Sequence, residues 1–159
     1  LVESEKGKGS VFTVYLPAAE GVQGELEVGE ESDRPAGVGR ILFVDDEPMI
    51  MRLGQRLLER EGYEVETRAN GTDALECFRR DPTRFDLVVT DMTMPGMTGD
   101  KLAKEILKIK SDIPVILASG YSRKISQEKA KEIGIRDFVM KPLTAHELAN
   151  TVRRVLDDE

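Results

Sequence analysis

Short apolar runs alternate with amphipathic stretches along the chain from Arg40 onward. Each run has the length of a buried strand, and the residues between the runs show helical periodicity. The strands predicted in this way are Arg40–Val44, Tyr63–Thr67, Phe85–Thr90, Ile113–Ala118 and Arg136–Met140. This alternation predicts an α/β fold, a doubly wound five-stranded parallel sheet covered by helices on both faces.

Five helices are predicted to follow the five strands. The first runs from about residue 47 to residue 61, and the second opens at Asn70-Gly71. The third lies near 99–110, the fourth around 126–133, and the capping box Thr144-Ala-His-Glu147 opens the fifth. The side chains expected to face the core are Ile50, Leu53 and Leu57 in the first helix, Ala74, Leu75 and Phe78 in the second, Leu102, Ile106 and Ile109 in the third, and Leu148, Val152 and Val155 in the fifth.

The chain before Arg40 has a different composition. Leu1–Pro17 contains turn-forming glycines and an alternating segment, which predict a β-hairpin remnant too short to bury a core. Residues 18–39 are rich in Gly and Glu, as flexible linkers are. We therefore divide the chain into a remnant at 1–17, a linker at 18–39 and a globular domain at 40–159. Because the first residue is Leu rather than Met, we expect a piece of a longer protein.

The composition excludes several classes of protein. The net charge is −7, and residues 1–39 contribute −5 of it through three Lys/Arg against eight Asp/Glu. No basic patch is present, so we expect no nucleic-acid binding. The single cysteine, Cys77, predicted to fill space beside Phe78, cannot form an internal disulfide and is typical of a reducing cytoplasm. No apolar run approaches the roughly 18 residues of a membrane span, so we expect a cytoplasmic fragment without membrane contact.

Charged and hydroxyl side chains stand at the carboxyl ends of four predicted strands. Asp45 and Asp46 follow the first strand, Asp91 follows the third, and Ser119 and Lys141 follow the last two. Because the carboxyl ends of parallel strands share one edge of the sheet, we expect these five side chains to meet there. Three carboxylates, a hydroxyl and an ammonium suit a hard cation and a phosphoryl group.

These residues make the domain resemble the receiver domains of bacterial two-component response regulators. The motifs that carry the resemblance are Asp45-Asp46, Thr90-Asp-Met-Thr-Met-Pro-Gly-Met-Thr-Gly99, Ser119-Gly120 and Lys141-Pro142. They occur in order, each at the end of a predicted strand, and the resemblance covers residues 40–157, about three quarters of the chain. The resemblance implies the flavodoxin-like (βα)5 receiver fold and a phosphoacceptor that serves a phosphorelay.

The resemblance also implies a role for each of these residues. Asp91 is then the nucleophile that takes the phosphoryl group, while Lys141 and the Ser119 hydroxyl stabilise the transferred group. Mg²⁺ is the implied cofactor. Its implied ligands are Asp46, Asp91 and the backbone carbonyl of Thr93, with Asp45 acting through metal-bound water.

Three further expectations follow from the resemblance. Phe138 takes the place of the aromatic residue that rotates when the Ser119 hydroxyl is drawn toward the phosphoryl group, so these two residues form the expected switch. Thr93 and Tyr121 lie where family members control the access of hydrolytic water, and therefore the lifetime of the phosphorylated state. The Lys141–Pro142 peptide bond is expected to be cis.

Leu1–Pro17 resembles the last two strands of a histidine-kinase ATP-binding domain. This second resemblance implies that the receiver lies C-terminal in a hybrid sensor histidine kinase. Its partners would be the histidine kinase core or a histidine phosphotransfer protein, and we expect the receiver to be monomeric. The fragment is not expected to turn over a substrate beyond its own phosphorylation and dephosphorylation.

Two other functions are open alternatives. A degenerate receiver would act only as a partner-binding module, but it would be expected to lack one of the acidic pair, the phosphoacceptor or the lysine, and all of these are present. A Mg²⁺-dependent phosphatase with an aspartyl nucleophile usually carries a general acid two residues after that nucleophile, where this chain has Thr93. Both alternatives are therefore disfavoured.

Overall fold

The computed structural model describes residues 1–15, 37–120 and 132–157. The chain divides into two compact units, Leu1–Arg34 and Pro35–Glu159, and each is described by itself. The helix predicted around 126–133 falls almost entirely outside the described residues. The division into remnant, linker and globular domain stays a prediction.

The first unit contains an antiparallel hairpin formed by β1 (Val2–Glu5) and β2 (Gly9–Phe12). Gly7 and Gly9 have φ angles of 85° and 103°, which glycine adopts without the steric penalty of a side chain. Every residue of both strands is exposed, including Phe12 at 73%. The described residues of this unit therefore bury no apolar core of their own.

The second unit has a five-stranded parallel sheet and, among its described residues, four helices. These elements are β3 (Arg40–Val44), α1 (Pro48–Arg60), β4 (Glu64–Arg68), α2 (Gly71–Arg80), β5 (Leu87–Asp91), α3 (Gly99–Ile109), β6 (Val115–Ser119), β7 (Asp137–Met140) and α4 (Ala145–Asp157). The strand order is β4-β3-β5-β6-β7, and all four pairings are parallel. This is the flavodoxin-like order of a doubly wound sheet, so the predicted fold is confirmed.

Local signals set the helix boundaries where the sequence predicts them. The side chain of Asn70 caps α2 by accepting a hydrogen bond from the amide of Asp73 at 2.8 Å. The Thr144 hydroxyl accepts from the amide of Glu147 at 3.2 Å, so the predicted capping residue lies at the start of α4. Gly62, with φ of 99°, follows the end of α1.

The core lies in two layers, one on each face of the sheet. Leu42 and Val44 of β3 pack with α2 and α3, while Ile41 and Phe43 of the same strand pack with α1 and α4. This division follows from the strand's period of two, which turns alternate side chains to opposite faces. The predicted core positions of α2 and α4 are confirmed: Ala74, Leu75, Phe78, Leu148, Val152 and Val155 are all buried.

Two predicted core positions are wrong. Leu53 of α1 is 41% exposed and Ile109 at the end of α3 is 38% exposed. The fully buried positions of α1 are instead Gly54 and Leu58. A Cβ atom at Gly54 would lie 2.3 Å from the Phe43 ring, so the bare glycine backbone is what meets the sheet. The inward face of α1 is therefore centred on a small residue that a search for large apolar side chains passes over.

Residues 37–39 lead into β3 and are hydrogen-bonded to the rest of the second unit. The amide of Gly37 donates to the carbonyl of Glu61 at 2.7 Å, and the amide of Glu64 donates to the carbonyl of Gly39 at 2.9 Å. A Cβ atom at Gly37 would lie 2.3 Å from the Tyr63 ring. Gly37 and Gly39, assigned to the linker from the sequence, thus contact the α/β domain, whereas Val38 between them is exposed.

Candidate functional site

Neighbouring strands bring four of the candidate residues to one edge of the sheet. Asp45 directly follows β3, Asp91 ends β5, Ser119 ends β6 and Lys141 directly follows β7. These four strands are adjacent in the order β3-β5-β6-β7. The backbones of the last two residues are also joined, since the amide of Lys141 donates to the carbonyl of Ser119 at 2.9 Å. The predicted convergence at the carboxyl edge is therefore present in the backbone.

The ammonium group of Lys141 connects two of the carboxylates. Its Nζ atom lies 2.9 Å from Oδ2 of Asp45 and 2.9 Å from Oδ1 of Asp91. All three side chains are largely removed from solvent, with exposed fractions of 19% for the lysine, 1% for Asp45 and 7% for Asp91. The two carboxylates need the positive charge of Lys141, because without it their negative charges would be buried and uncompensated in surroundings of low polarity.

Backbone amides orient the other oxygen of each carboxylate. The amide of Glu47 donates to Oδ1 of Asp45 at 2.9 Å, and the amide of Thr93 donates to Oδ2 of Asp91 at 3.1 Å. In both cases the donor lies two residues after the aspartate, in the loop that follows the strand. Each carboxylate is therefore held at two points, by its own loop and by Lys141.

The loop after Asp91 is packed closely against the helices on either side. A Cβ atom at Gly99, the first residue of α3, would lie 2.2 Å from the backbone carbonyl oxygen of Asp91. A Cβ atom at Gly71, the first residue of α2, would lie 2.9 Å from Cβ of Met97. Both helices approach the loop at a distance that only glycine permits, so the backbone around Asp91 has little freedom to shift.

Burial and charge act in opposite directions on the titratable groups of the site. Burial raises the pKa of Asp45, and the hydrogen bond and positive charge of Lys141 only partly offset it. Burial would lower the pKa of Lys141, but hydrogen bonds to Asp91 and Asp45 and their negative charges outweigh it, so the pKa of the lysine is raised. Lys141 is accordingly charged at neutral pH.

The donor chemistry of this edge fits a small hard cation. Oδ2 of Asp45 is buried and lies 2.9 Å from the ammonium nitrogen of Lys141. Because Oδ2 of Asp45 and Oδ1 of Asp91 each lie 2.9 Å from the same nitrogen, they are at most 5.8 Å apart. Across residues 1–15, 37–120 and 132–157, no three acidic, His or Cys side chains form a ready-made metal cluster. Mg²⁺ suits such a site, since it binds through one or two carboxylates and keeps several waters.

The remaining predicted site residues have different surroundings. Asp46 is half-buried beside Asp45, and the side chain of Thr93 is exposed while its amide faces Asp91. Phe138 is half-buried against the core cluster that includes α2 and α3. Tyr121 lies outside the described residues. The roles assigned to these residues stay predictions, whereas the predicted cis bond between Lys141 and Pro142 is confirmed.

A polar cluster around Cys77 was not predicted. The cysteine packs against the core as expected, but its thiol also donates to Oε1 of Glu66 at 3.2 Å. Arg68 donates to the same carboxylate and to the Cys77 sulfur, and Arg84 pairs with Oε2 of Glu66 at 2.6 Å. The signal for this cluster was Glu66 itself, a carboxylate in the middle of a predicted strand.

Comparison with known proteins defines the class and then the family. The strand order places the chain among the flavodoxin-like α/β domains. The chain belongs to the response regulator receiver domain family, whose family model matches residues 41–153. A curated relative, the sensor kinase CckA of Brucella abortus, is 32% identical over 166 residues, which cover 99% of this chain and 18% of that protein. The chain thus spans less than a fifth of the length of this relative.

Two solved structures have the same fold. The chemotaxis protein CheY4 of Vibrio cholerae matches with a TM-score of 0.71 at 30% identity, over 76% of this chain and 100% of that one. The receiver domain of the hybrid histidine kinase CckA matches with a TM-score of 0.63 at 35% identity, over 74% and 99%. Receiver domains are phosphoacceptors in two-component phosphorelays and generally depend on Mg²⁺, and this chain is a member of that family.

No helix in the described ranges combines the length and apolar character needed to cross a bilayer.

Proposed function

We propose that Asp91 accepts a phosphoryl group from a phosphohistidine and thereby passes a signal along a phosphorelay. The observation that carries this proposal is the position of Lys141, whose ammonium contacts the carboxylates of both Asp45 and Asp91 at 2.9 Å. Asp91 ends a strand in which every residue is buried, so its carboxylate is held firmly at the sheet edge. A fixed carboxylate beside an ammonium suits the transfer of a multiply charged group.

Transfer forms a bond between a carboxylate oxygen of Asp91 and phosphorus. The P–N bond to the donor histidine breaks, and the imidazole leaves with its electron pair. Lys141 stabilises the negative charge on the phosphoryl oxygens, and the hydroxyl of Ser119 donates a hydrogen bond to one of them. The product is an acyl phosphate, which is reactive enough to serve as a reversible signal.

Bound Mg²⁺ would supply additional positive charge at the transferring group. We propose that Asp46, Asp91 and the backbone carbonyl of Thr93 bind the ion directly and that Asp45 holds metal-bound water. The hard oxygen donors at this edge, the carboxylates of Asp45 and Asp91 among them, support the assignment.

The proposed switch consists of Ser119 and Phe138. Ser119 is 3% exposed, and Phe138 lies on the adjacent strand, paired in register with Leu117. Added phosphoryl charge and acceptor oxygens would draw the Ser119 hydroxyl toward Asp91, which changes the space beside the half-buried Phe138 ring. Since phenylalanine has no hydroxyl, no hydrogen bond is available to hold its ring in a second position.

We further propose that the domain is part of a hybrid sensor histidine kinase in the cytoplasm, C-terminal to the kinase domain. The relative CckA of Brucella abortus is a sensor kinase that aligns with 99% of this chain, including the hairpin. The exposed apolar residues of that hairpin, such as Phe12, are consistent with the edge of a larger domain. The partner would be the kinase core or a histidine phosphotransfer protein. The lone cysteine agrees with a reducing compartment.

Stoichiometric labelling tests the proposed function against both alternatives. The chain is incubated with phosphoramidate and Mg²⁺, and intact mass and released phosphate are measured together. We expect one added phosphoryl group per chain. Continuous phosphate release without an accumulating phosphorylated chain would indicate a phosphatase, and neither labelling nor release would indicate a degenerate receiver. Asp91→Asn should abolish labelling. The matched control is Asp112→Asn, which changes an exposed aspartate just before β6, outside the proposed site, and should label like the wild type.

A further inference from the structure

Thr90 is a fully buried hydroxyl residue beside the proposed phosphoacceptor. It is the fourth residue of β5, after Leu87, Val88 and Val89, and it is 0% exposed. Strand alternation places it on the same face as Val88, which packs in the cluster with α2 and α3. A valine would satisfy such an apolar environment, since a buried hydroxyl costs free energy unless it makes a hydrogen bond. The Thr90 hydroxyl is therefore favourable at this position only if it makes a hydrogen bond.

The acceptor of that hydrogen bond is the phosphoacceptor's own peptide group. Oγ1 of Thr90 donates to the backbone carbonyl oxygen of Asp91 at 3.2 Å. The same oxygen lies 2.2 Å from the position that a Cβ atom at Gly99 would take, so α3 packs directly against it. The next residue is tied on both sides: the amide of Met92 donates to the carbonyl of Ala118 at 2.8 Å, and the amide of Gly99 donates to the carbonyl of Met92 at 3.0 Å.

The orientation of the Asp91–Met92 peptide controls the groups that hold the nucleophile. The amide of Thr93, two residues after Asp91, donates to its Oδ2 atom at 3.1 Å. A rotation of the peptide would move the backbone of the nucleophile together with the donor that orients its carboxylate. The Oδ1 atom of Asp91, which lies 2.9 Å from the ammonium nitrogen of Lys141, would also be displaced from that contact.

We propose that Thr90 is a positioning residue for phosphoryl transfer, which fixes the Asp91 peptide through its hydroxyl. The proposal rests on Asp91 being the phosphoacceptor. Thr90 would touch neither the phosphoryl group nor a metal ion, and it would act through the backbone of Asp91. Its effect should therefore depend on the hydroxyl and not on the volume of the side chain.

The experiment measures the rate of labelling by phosphoramidate with Mg²⁺ in four variants of the 159-residue chain. Thr90→Val keeps the volume and removes the hydroxyl, and Thr90→Ala removes the hydroxyl with a smaller side chain. Thr90→Ser keeps the hydroxyl and removes the methyl group. The matched control is Thr151→Val, the same change at a buried threonine in α4. Thermal unfolding of each variant identifies the variants that fold.

We expect Thr90→Val and Thr90→Ala to label roughly three- to tenfold more slowly, the scale of one lost hydrogen bond. Thr90→Ser should restore a rate within about twofold of the wild type, and Thr151→Val should match the wild type. A rate near that of the wild type in either hydroxyl-free variant that folds would overturn the proposal. So would an equal slowdown in Thr90→Ser, since the methyl group would then be the cause. If the wild type itself does not label at Asp91, the proposed function fails instead.

Discussion

Replacing Gly99 by alanine should disturb the phosphoacceptor more than it disturbs the fold. A Cβ atom at this position would lie 2.2 Å from the carbonyl oxygen of Asp91, whereas an ordinary contact begins at 3.4 Å. The start of α3 and the Asp91 peptide must therefore separate by about 1.2 Å, the difference between these two distances. Overpacking of this kind costs about 1–3 kcal/mol. This cost is smaller than the stability of an ordinary small domain, about 5–15 kcal/mol, so the variant should fold.

The same displacement has a larger effect on phosphoryl transfer. A misplacement of about 1 Å can reduce a rate by about a hundredfold, because the reacting groups must meet in a narrow range of geometries. We therefore expect Gly99→Ala to label between tenfold and a hundredfold more slowly than the wild type, by roughly that reasoning. Phosphoramidate labelling followed by intact mass gives the rate, and urea unfolding of the same preparation gives the stability.

Gly54→Ala is the matched control for overpacking. A Cβ atom there would lie 2.3 Å from the Phe43 ring, a similar overlap in the core beneath α1 rather than at Asp91. We expect this variant to lose stability on the same scale but to label at the wild-type rate. A folded Gly99→Ala that labels like the wild type would show that this displacement does not slow phosphoryl transfer, and an equal loss of labelling in Gly54→Ala would show that the effect is not specific to the Asp91 peptide.

Three further predictions concern the charge, the lifetime and the thiol. Lys141→Gln should slow labelling by roughly a hundredfold, because no other side chain contacts both carboxylates in the described part of the site; a rate near that of the wild type would contradict its role. Thr93→Asn and Tyr121→Glu introduce groups that can orient water, so each should accelerate hydrolysis of the phosphorylated aspartate. The decay of the phosphorylated chain is measured after phosphoramidate is removed, and an unchanged decay rate in the double variant would show that neither position controls the lifetime. Burial and the Glu66 carboxylate raise the pKa of Cys77, so its alkylation should need a higher pH than that of a free thiol. Glu66→Gln should move the midpoint of the alkylation profile to lower pH, and an unmoved midpoint would show that the carboxylate has no part in the shift.

The chemistry at the sheet edge was predictable because topology alone places it. Once alternating apolar runs predict parallel strands, the residues after Val44 and Met140 must lie at the same edge, whatever the details of packing. Asp45 and Lys141 could therefore be placed in one site from the sequence, although they are 96 positions apart by their numbers. The prediction needed only the strand ends to be correct within a residue or two.

The details that depend on packing could not be predicted in this way. The inward face of α1 is centred on Gly54, which packs against Phe43 because it has no side chain. The pattern of large apolar residues indicated Leu53 instead, and Leu53 is exposed. The ammonium group of Lys141 lies at equal distances from the Asp45 and Asp91 carboxylates because of side-chain geometry, which the spacing of residues along the sequence does not determine. The bond from Thr90 to the Asp91 carbonyl is equally hidden, since threonine is common in buried strands without such a role.

Chemical trapping of the labelled residue identifies the phosphoacceptor by its position in the chain. After labelling with phosphoramidate and Mg²⁺, the acyl phosphate is reduced with borohydride, which converts a phosphorylated aspartate to homoserine, and the position is mapped by peptide mass spectrometry. We predict homoserine at Asp91, no homoserine at Asp45 or Asp46, and no conversion without the phosphodonor. Homoserine at another aspartate, with Asp91 unmodified in a fully labelled sample, would show that Asp91 is not the phosphoacceptor.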